Sequence, residues 1–106
     1  MLSEKILVVD DNPRVIQSLK LGLEEYEIKD FNSGEAVLDY LRKPNLINLV
    51  MLDIMMPGID GLTTLQEIKK INKDIAVIMM TGFSSKDVAI EALRLHADDY
   101  VEKPFN

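Results

Sequence analysis

With 106 residues the chain has material for one hydrophobic core, and with no cysteine it has neither a disulfide framework nor a thiolate metal site. Hydrophobic residues make up 47% and charged residues 28%, which excludes the disordered class, and no apolar run reaches the roughly 20 residues of a bilayer-spanning helix. Twelve basic against eighteen acidic residues leave a net charge of −6, which argues against nucleic acid as a direct partner and for a cation as the bound counter-ion. A single histidine, His96, rules out a His-rich metal site. The opening Met-Leu-Ser-Glu-Lys does not read as a signal peptide, so the expected location is the cytoplasm, away from the membrane.

In chain order, Ile6-Leu7-Val8-Val9 is continuously apolar and ends at aspartate, as a strand covered on both faces does. Asn12-Pro13 pairs a capping residue with proline at the first helical position, and Val15, Ile16, Leu19 and Leu23 then form one apolar stripe. Glu27–Phe31 is a weaker, outer strand. Val37, Leu38 and Leu41 make a second helical stripe after Ser33-Gly34. Leu49-Val50-Met51-Leu52 is a second buried strand. Leu62, Leu65, Ile68 and Ile71 follow Asp60-Gly61 as a third helix, closed by Lys69, Lys70 and Lys73, whose charges complement the helix dipole. Ile75-Ala76-Val77-Ile78-Met79 is a third buried strand. Val88, Ala89, Ala92 and Leu93 form the last stripe after Ser84-Ser85, and Asp99–Glu102 is an outer strand. Alternating strands and helices on short connections predict an α/β domain, a doubly wound five-stranded parallel sheet with helices on both faces. The six methionines read as core filler.

Ligands of such folds bind beyond the carboxyl ends of the strands. The first strand ends in Asp10-Asp11, the third in Asp53, the fourth in Thr81-Gly82 and the fifth in Lys103-Pro104. Taken singly, each has an ordinary reading: a helix cap, an Asx turn, a loop opening, a solvated lysine. Together they predict three carboxylates, a hydroxyl and an ammonium at one edge. Crowded carboxylates repel, and oxygen-only ligands in small number suit Mg²⁺. A carboxylate beside such an ion and a lysine can attack phosphorus, and Asp53, alone at the end of a central strand, is the best placed.

These residues resemble the receiver domain of two-component response regulators, over nearly the whole chain. The resemblance rests on Val8-Val9-Asp10-Asp11-Asn12, on the run Asp53-Ile54-Met55-Met56-Pro57-Gly58-Ile59-Asp60-Gly61, on Thr81-Gly82 and on Tyr100-Val101-Glu102-Lys103-Pro104-Phe105. It implies a strand order of 2-1-3-4-5, with Asp53 accepting a phosphoryl group from a sensor histidine kinase or phosphotransfer protein. It also implies that Asp10, Asp11, Asp53 and the Met55 backbone carbonyl hold Mg²⁺, with Mn²⁺ as a substitute. Lys103 would bind a phosphoryl oxygen, Thr81 would move to hydrogen-bond it, and Tyr100 would rotate inward. Pro104 would aim Lys103 inward through a cis peptide, while Pro57 and Gly61 would shape the site. The implied role is a signalling domain acting on an output domain or downstream protein, not an enzyme. A receiver-like interaction module that is never phosphorylated is the alternative. Met55 and Phe83 could shield the acyl phosphate and slow its hydrolysis.

Two departures stand out. The family commonly has glycine where this chain has His96, so a left-handed backbone there would be strained. The family also continues into a fifth helix, whereas this sequence stops at Asn106. Leaving four or five side chains on one sheet face uncovered, at roughly 1.5–3 kcal/mol each, would forgo around 10 kcal/mol. Residues 1–106 therefore read as a receiver domain cut after strand five, with self-association across the open face as the alternative.

Overall fold

The computed structural model describes residues 4–55, 58–82 and 86–103. Among these residues nine elements alternate: β1 (Lys5–Val9), α1 (Pro13–Gly22), β2 (Glu27–Phe31), α2 (Gly34–Arg42), β3 (Leu49–Asp53), α3 (Gly61–Ile71), β4 (Ala76–Thr81), α4 (Lys86–Arg94) and β5 (Asp99–Glu102). The sheet is parallel throughout with order β2-β1-β3-β4-β5, so the three apolar runs are the central strands and the two weaker ones the edges. β4 begins one residue later than its apolar run and continues to Thr81. Ile75 is still a core residue, but its N–H closes a turn onto the Asn72 carbonyl instead of joining the ladder.

The helix starts follow side-chain chemistry. Asn12, Ser33 and Asp60 each accept a hydrogen bond from a first-turn N–H, donated by Arg14, Ala36 and Thr63 respectively. Ser84 and Ser85 lie outside the described residues.

Alternation along the strands sends side chains to two cores. Leu7, Val9, Val50, Leu52, Val77 and Met79 meet Val37, Leu38 and Leu41 of α2, Leu65 and Ile68 of α3, and Ala92 of α4. On the other face Ile6, Val8, Met51 and Met80 are buried with Ile16 and Leu19 of α1. The apolar side chains only partly buried on that face are Val15, Leu23, Ile28, Leu49, Ile78 and Val101, among the described residues.

The stripe expected on α4 is only partly buried: Ala92 is enclosed and Val88 partly so, but Leu93 is 54% exposed. Leu95 takes its place in the core, where the chain turns off the helix. That turn is a Schellman closure, with the Ala97 N–H bonded to the Ala92 carbonyl and His96 at φ 72°. Among the described residues no helix is long and apolar enough to cross a membrane.

Candidate functional site

Parallel register assembles the site. Val9 pairs with Leu52, so Asp10 and Asp53 leave adjacent strands at the same level. Asp53 pairs with Met80 and Thr81 with Glu102, which brings Thr81 and then Lys103 to the same edge. The Lys103 N–H donates to the Thr81 carbonyl at 2.7 Å, and Ile54 N–H to the Met80 carbonyl at 2.9 Å, extending the ladder to the site itself.

Asp10 and Asp53 are 3% and 4% exposed, while Asp11 faces solvent. One oxygen from each of the three lies within 4.8 Å of the others. The Lys103 ammonium sits 2.6 Å from Asp10 Oδ2 and 3.2 Å from Asp53 Oδ2. Asp10 and Asp53 therefore share one buried cation, with the exposed Asp11 carboxylate beside them. Asp10 Oδ1 accepts the Asn12 N–H at 2.9 Å and Asp53 Oδ1 the Met55 N–H at 3.2 Å. Asp10 Oδ2 is buried without a hydrogen-bond partner; Lys103 meets its charge through the ion pair.

Burial, and next the neighbouring Asp10 carboxylate, push the Asp53 carboxyl above its ordinary value, against the opposing pull of Lys103 and the Met55 N–H. Burial alone would lower the Lys103 ammonium, but contact with Asp10 and the charges of Asp53 and Asp10 outweigh it and hold it above its ordinary value. The site is thus short of positive charge. Two buried carboxylates with one ammonium between them, the raised proton affinity of Asp53 and an all-oxygen donor set fit a hard divalent cation.

Gly61 shapes the floor: its N–H donates to the Ile54 carbonyl at 3.0 Å, and a Cβ there would run into the Asp53 carbonyl. Thr81 is buried at the strand end, and Tyr100 is half-buried against the main core. The Met55 side chain is 62% exposed. Pro57, Phe83 and Pro104 lie outside the described residues. A groove of about 550 Å³ opens beside the carboxylates, lined by Asp10, Asp11, Gln17, Lys20, Asp30 and Asn32.

Two polar anchors escape sequence reasoning. Glu35, in the first turn of α2, accepts the Ile59 N–H at 3.2 Å, and Lys69 bonds the Ile75 carbonyl at 2.6 Å and Asp98 at 2.8 Å. Both join residues far apart in the chain, and no local pattern marks them.

Among known proteins, the family model described as response regulator receiver domain matches residues 6–106. The Porphyridium aerugineum protein named "Probable transcriptional regulator ycf27" is 39% identical over 108 residues, covering 100% of this chain and 44% of its own length. The chain thus spans less than half of that relative. A CheY-like receiver domain protein from Methanospirillum hungatei superposes with a TM-score of 0.89 at 30% identity, covering 99% of this chain and 85% of that one. The BeF3-activated receiver domain of DrrB, from Thermotoga maritima, superposes with a TM-score of 0.86 at 32% identity, covering 99% and 88%.

Proposed function

The chain belongs to the response regulator receiver family of two-component systems, and from that premise we propose that Asp53 accepts a phosphoryl group and that the domain signals by the resulting change of shape. The observation that carries this reading is the Asp53 carboxylate, buried at the end of a central strand with Lys103 Nζ 3.2 Å from its Oδ2 and two further carboxylates beside it. An Asp53 oxygen attacks phosphorus, the phosphorus–nitrogen bond of a donor phosphohistidine breaks, and the electron pair leaves on the imidazole nitrogen. The donor is a sensor histidine kinase or phosphotransfer protein, reaching Asp53 past the groove beside Asp11 and Gln17.

Asp10, Asp11 and Asp53, with the Met55 carbonyl, would hold Mg²⁺, or Mn²⁺ in its place. Bound there, such an ion neutralises charge on the transferring group. Lys103 already carries its proton and supplies a second positive charge on the opposite strand. Its contact with Asp53 gives way to contact with a phosphoryl oxygen once Asp53 becomes an acyl phosphate. Phosphorylation adds about −1.5 to −2 charges together with acceptor oxygens, which Thr81 and Lys103 satisfy by drawing the ends of β4 and β5 toward Asp53. Tyr100, next to that end on β5, follows inward. An output domain or downstream protein reads this edge; the name of the ycf27 relative, a transcriptional regulator, supports an output domain that acts in transcription.

Beryllofluoride, a phosphoryl mimic, tests the reading by ¹⁹F NMR. Wild type with Mg²⁺ should give a bound resonance that EDTA or Asp53→Ala abolishes. A bound resonance retained by Asp53→Ala, or none in folded wild type with Mg²⁺, would overturn Asp53 as the acceptor.

A further inference from the structure

Met55, whose carbonyl the proposed function assigns to the metal, sits at the start of the segment that joins β3 to α3. That segment is pinned at its base, where Met55 N–H meets Asp53 Oδ1 at 3.2 Å and Gly61 N–H meets the Ile54 carbonyl at 3.0 Å. Its far side is held by a different element. Glu35 Oε1, from the first turn of α2, accepts the Ile59 N–H at 3.2 Å across 24 residues of sequence. Gly58 stands at φ +82°, and a Cβ there would lie 2.8 Å from Glu35 Oε2. Backbone and carboxylate are therefore fitted to each other at two successive residues. The base of α2 is fitted too: a Cβ on Gly34 would lie 2.9 Å from Ile59 Cγ1, so α2 also presses on the side chain of the residue that Glu35 bonds.

We propose that Glu35 is a positioning residue for the metal site, holding the backbone at residues 58–59 and through it the Met55 carbonyl in the orientation a divalent cation needs. This rests on the reading of Asp10, Asp11, Asp53 and Met55 as the Mg²⁺ site. Glu35 touches none of the reacting groups; it acts by limiting where the segment after Asp53 can go. Without it the segment is still closed at the Ile54–Gly61 neck, but residues 58–59 sample more conformations, and a ligand carbonyl that must be ordered on binding lowers affinity.

Isothermal titration of Mg²⁺ into wild type, Glu35→Ala and Glu35→Gln tests this, with amide exchange at Ile59 measured in the metal-free proteins. A hydrogen bond to a charged acceptor at the surface corresponds to about a three- to tenfold weaker Mg²⁺ affinity in Glu35→Ala, with faster exchange at Ile59 and an unchanged fold. Glu35→Gln keeps the acceptor oxygen and should bind within about twofold of wild type, since only the remote charge is lost. Glu35→Ala binding as wild type does, or Glu35→Gln as weak as Glu35→Ala, would overturn the positioning role. Wild type that binds no Mg²⁺ would instead overturn the metal site itself, and this role with it.

Discussion

Lys103 is the residue on which the resting site balances. Its ammonium, 17% exposed, is the buried countercharge to Asp10 and Asp53. Removing one partner of a buried ion cluster leaves charge uncompensated, so Lys103→Met should destabilise the metal-free protein by about 2–4 kcal/mol. Urea denaturation would show this, and millimolar Mg²⁺ should recover much of the loss by supplying a cation to the same carboxylates. Equal stability of the variant and wild type without metal would contradict the charge balance. His96 is a second residue with a definite cost. At φ 72° its backbone is in the left-handed region, at the closure of α4, where glycine meets no penalty. His96→Gly should therefore raise stability by about 0.5–1 kcal/mol after allowing for the extra freedom of glycine in the unfolded chain, read as a rise in the urea midpoint.

At the scale of elements, one network ties α3, β4 and β5 together at the end of the sheet away from the carboxylates. Lys69, 13% exposed in the last turn of α3, donates to the Ile75 carbonyl before β4 and to Asp98 before β5. Asp98 Oδ2 also accepts the Val77 N–H at 2.8 Å, and the Asp98 N–H donates to the Val77 carbonyl. Burial would raise the Asp98 carboxyl, but the hydrogen bonds from Lys69 and Val77 outweigh it and hold it below its ordinary 3.8. A carboxylate lowered on folding contributes stability that is present above the unfolded value and lost as pH falls through the folded one. Asp98→Ala should cost about 1–2 kcal/mol near neutrality, mostly through the lost hydrogen bonds because the side chain is half-exposed. The gap from wild type should close as the pH is lowered below about 3.8, and a gap that stays constant into acid would count against the ionised network. This network and the Glu35 anchor were not legible in the sequence, because each joins residues more than twenty positions apart through side chains that look like ordinary surface charges. Asn12, Ser33 and Asp60 were legible, because a cap and the N–H it serves are neighbours in the chain. The exposure of Leu93 was missed for a related reason: nine residues of α4 fit an apolar stripe in more than one phase, and the sheet decides which one is buried.

For the whole molecule, the sheet order and the gathering of the site have one cause. Ile6–Val9, Leu49–Leu52 and the β4 run are apolar on both faces, so they occupy the middle of the sheet, and parallel register then brings the residues that follow them to one edge. That much can be read from apolar runs ending in Asp10, Asp53 and Thr81. The contact of Lys103 with both aspartates could not be, because it depends on how β5 pairs with β4. On the second face Met51 and Met80 are buried with Ile16 and Leu19 of α1, while Val15, Leu23, Ile28, Leu49, Ile78 and Val101 are partly buried, among the described residues. Both cores and the polar anchors hold up the edge where Asp53 stands.

Intact-mass spectrometry after incubation with acetyl phosphate puts that edge to the test most directly, using wild type with Mg²⁺, wild type with EDTA, and Asp53→Asn with Mg²⁺. Addition of a single phosphoryl group to wild type with Mg²⁺, and to neither of the others, is the expected result. Folded wild type that stays unmodified with Mg²⁺, or Asp53→Asn modified as readily as wild type, would contradict the assignment of Asp53 as phosphoacceptor.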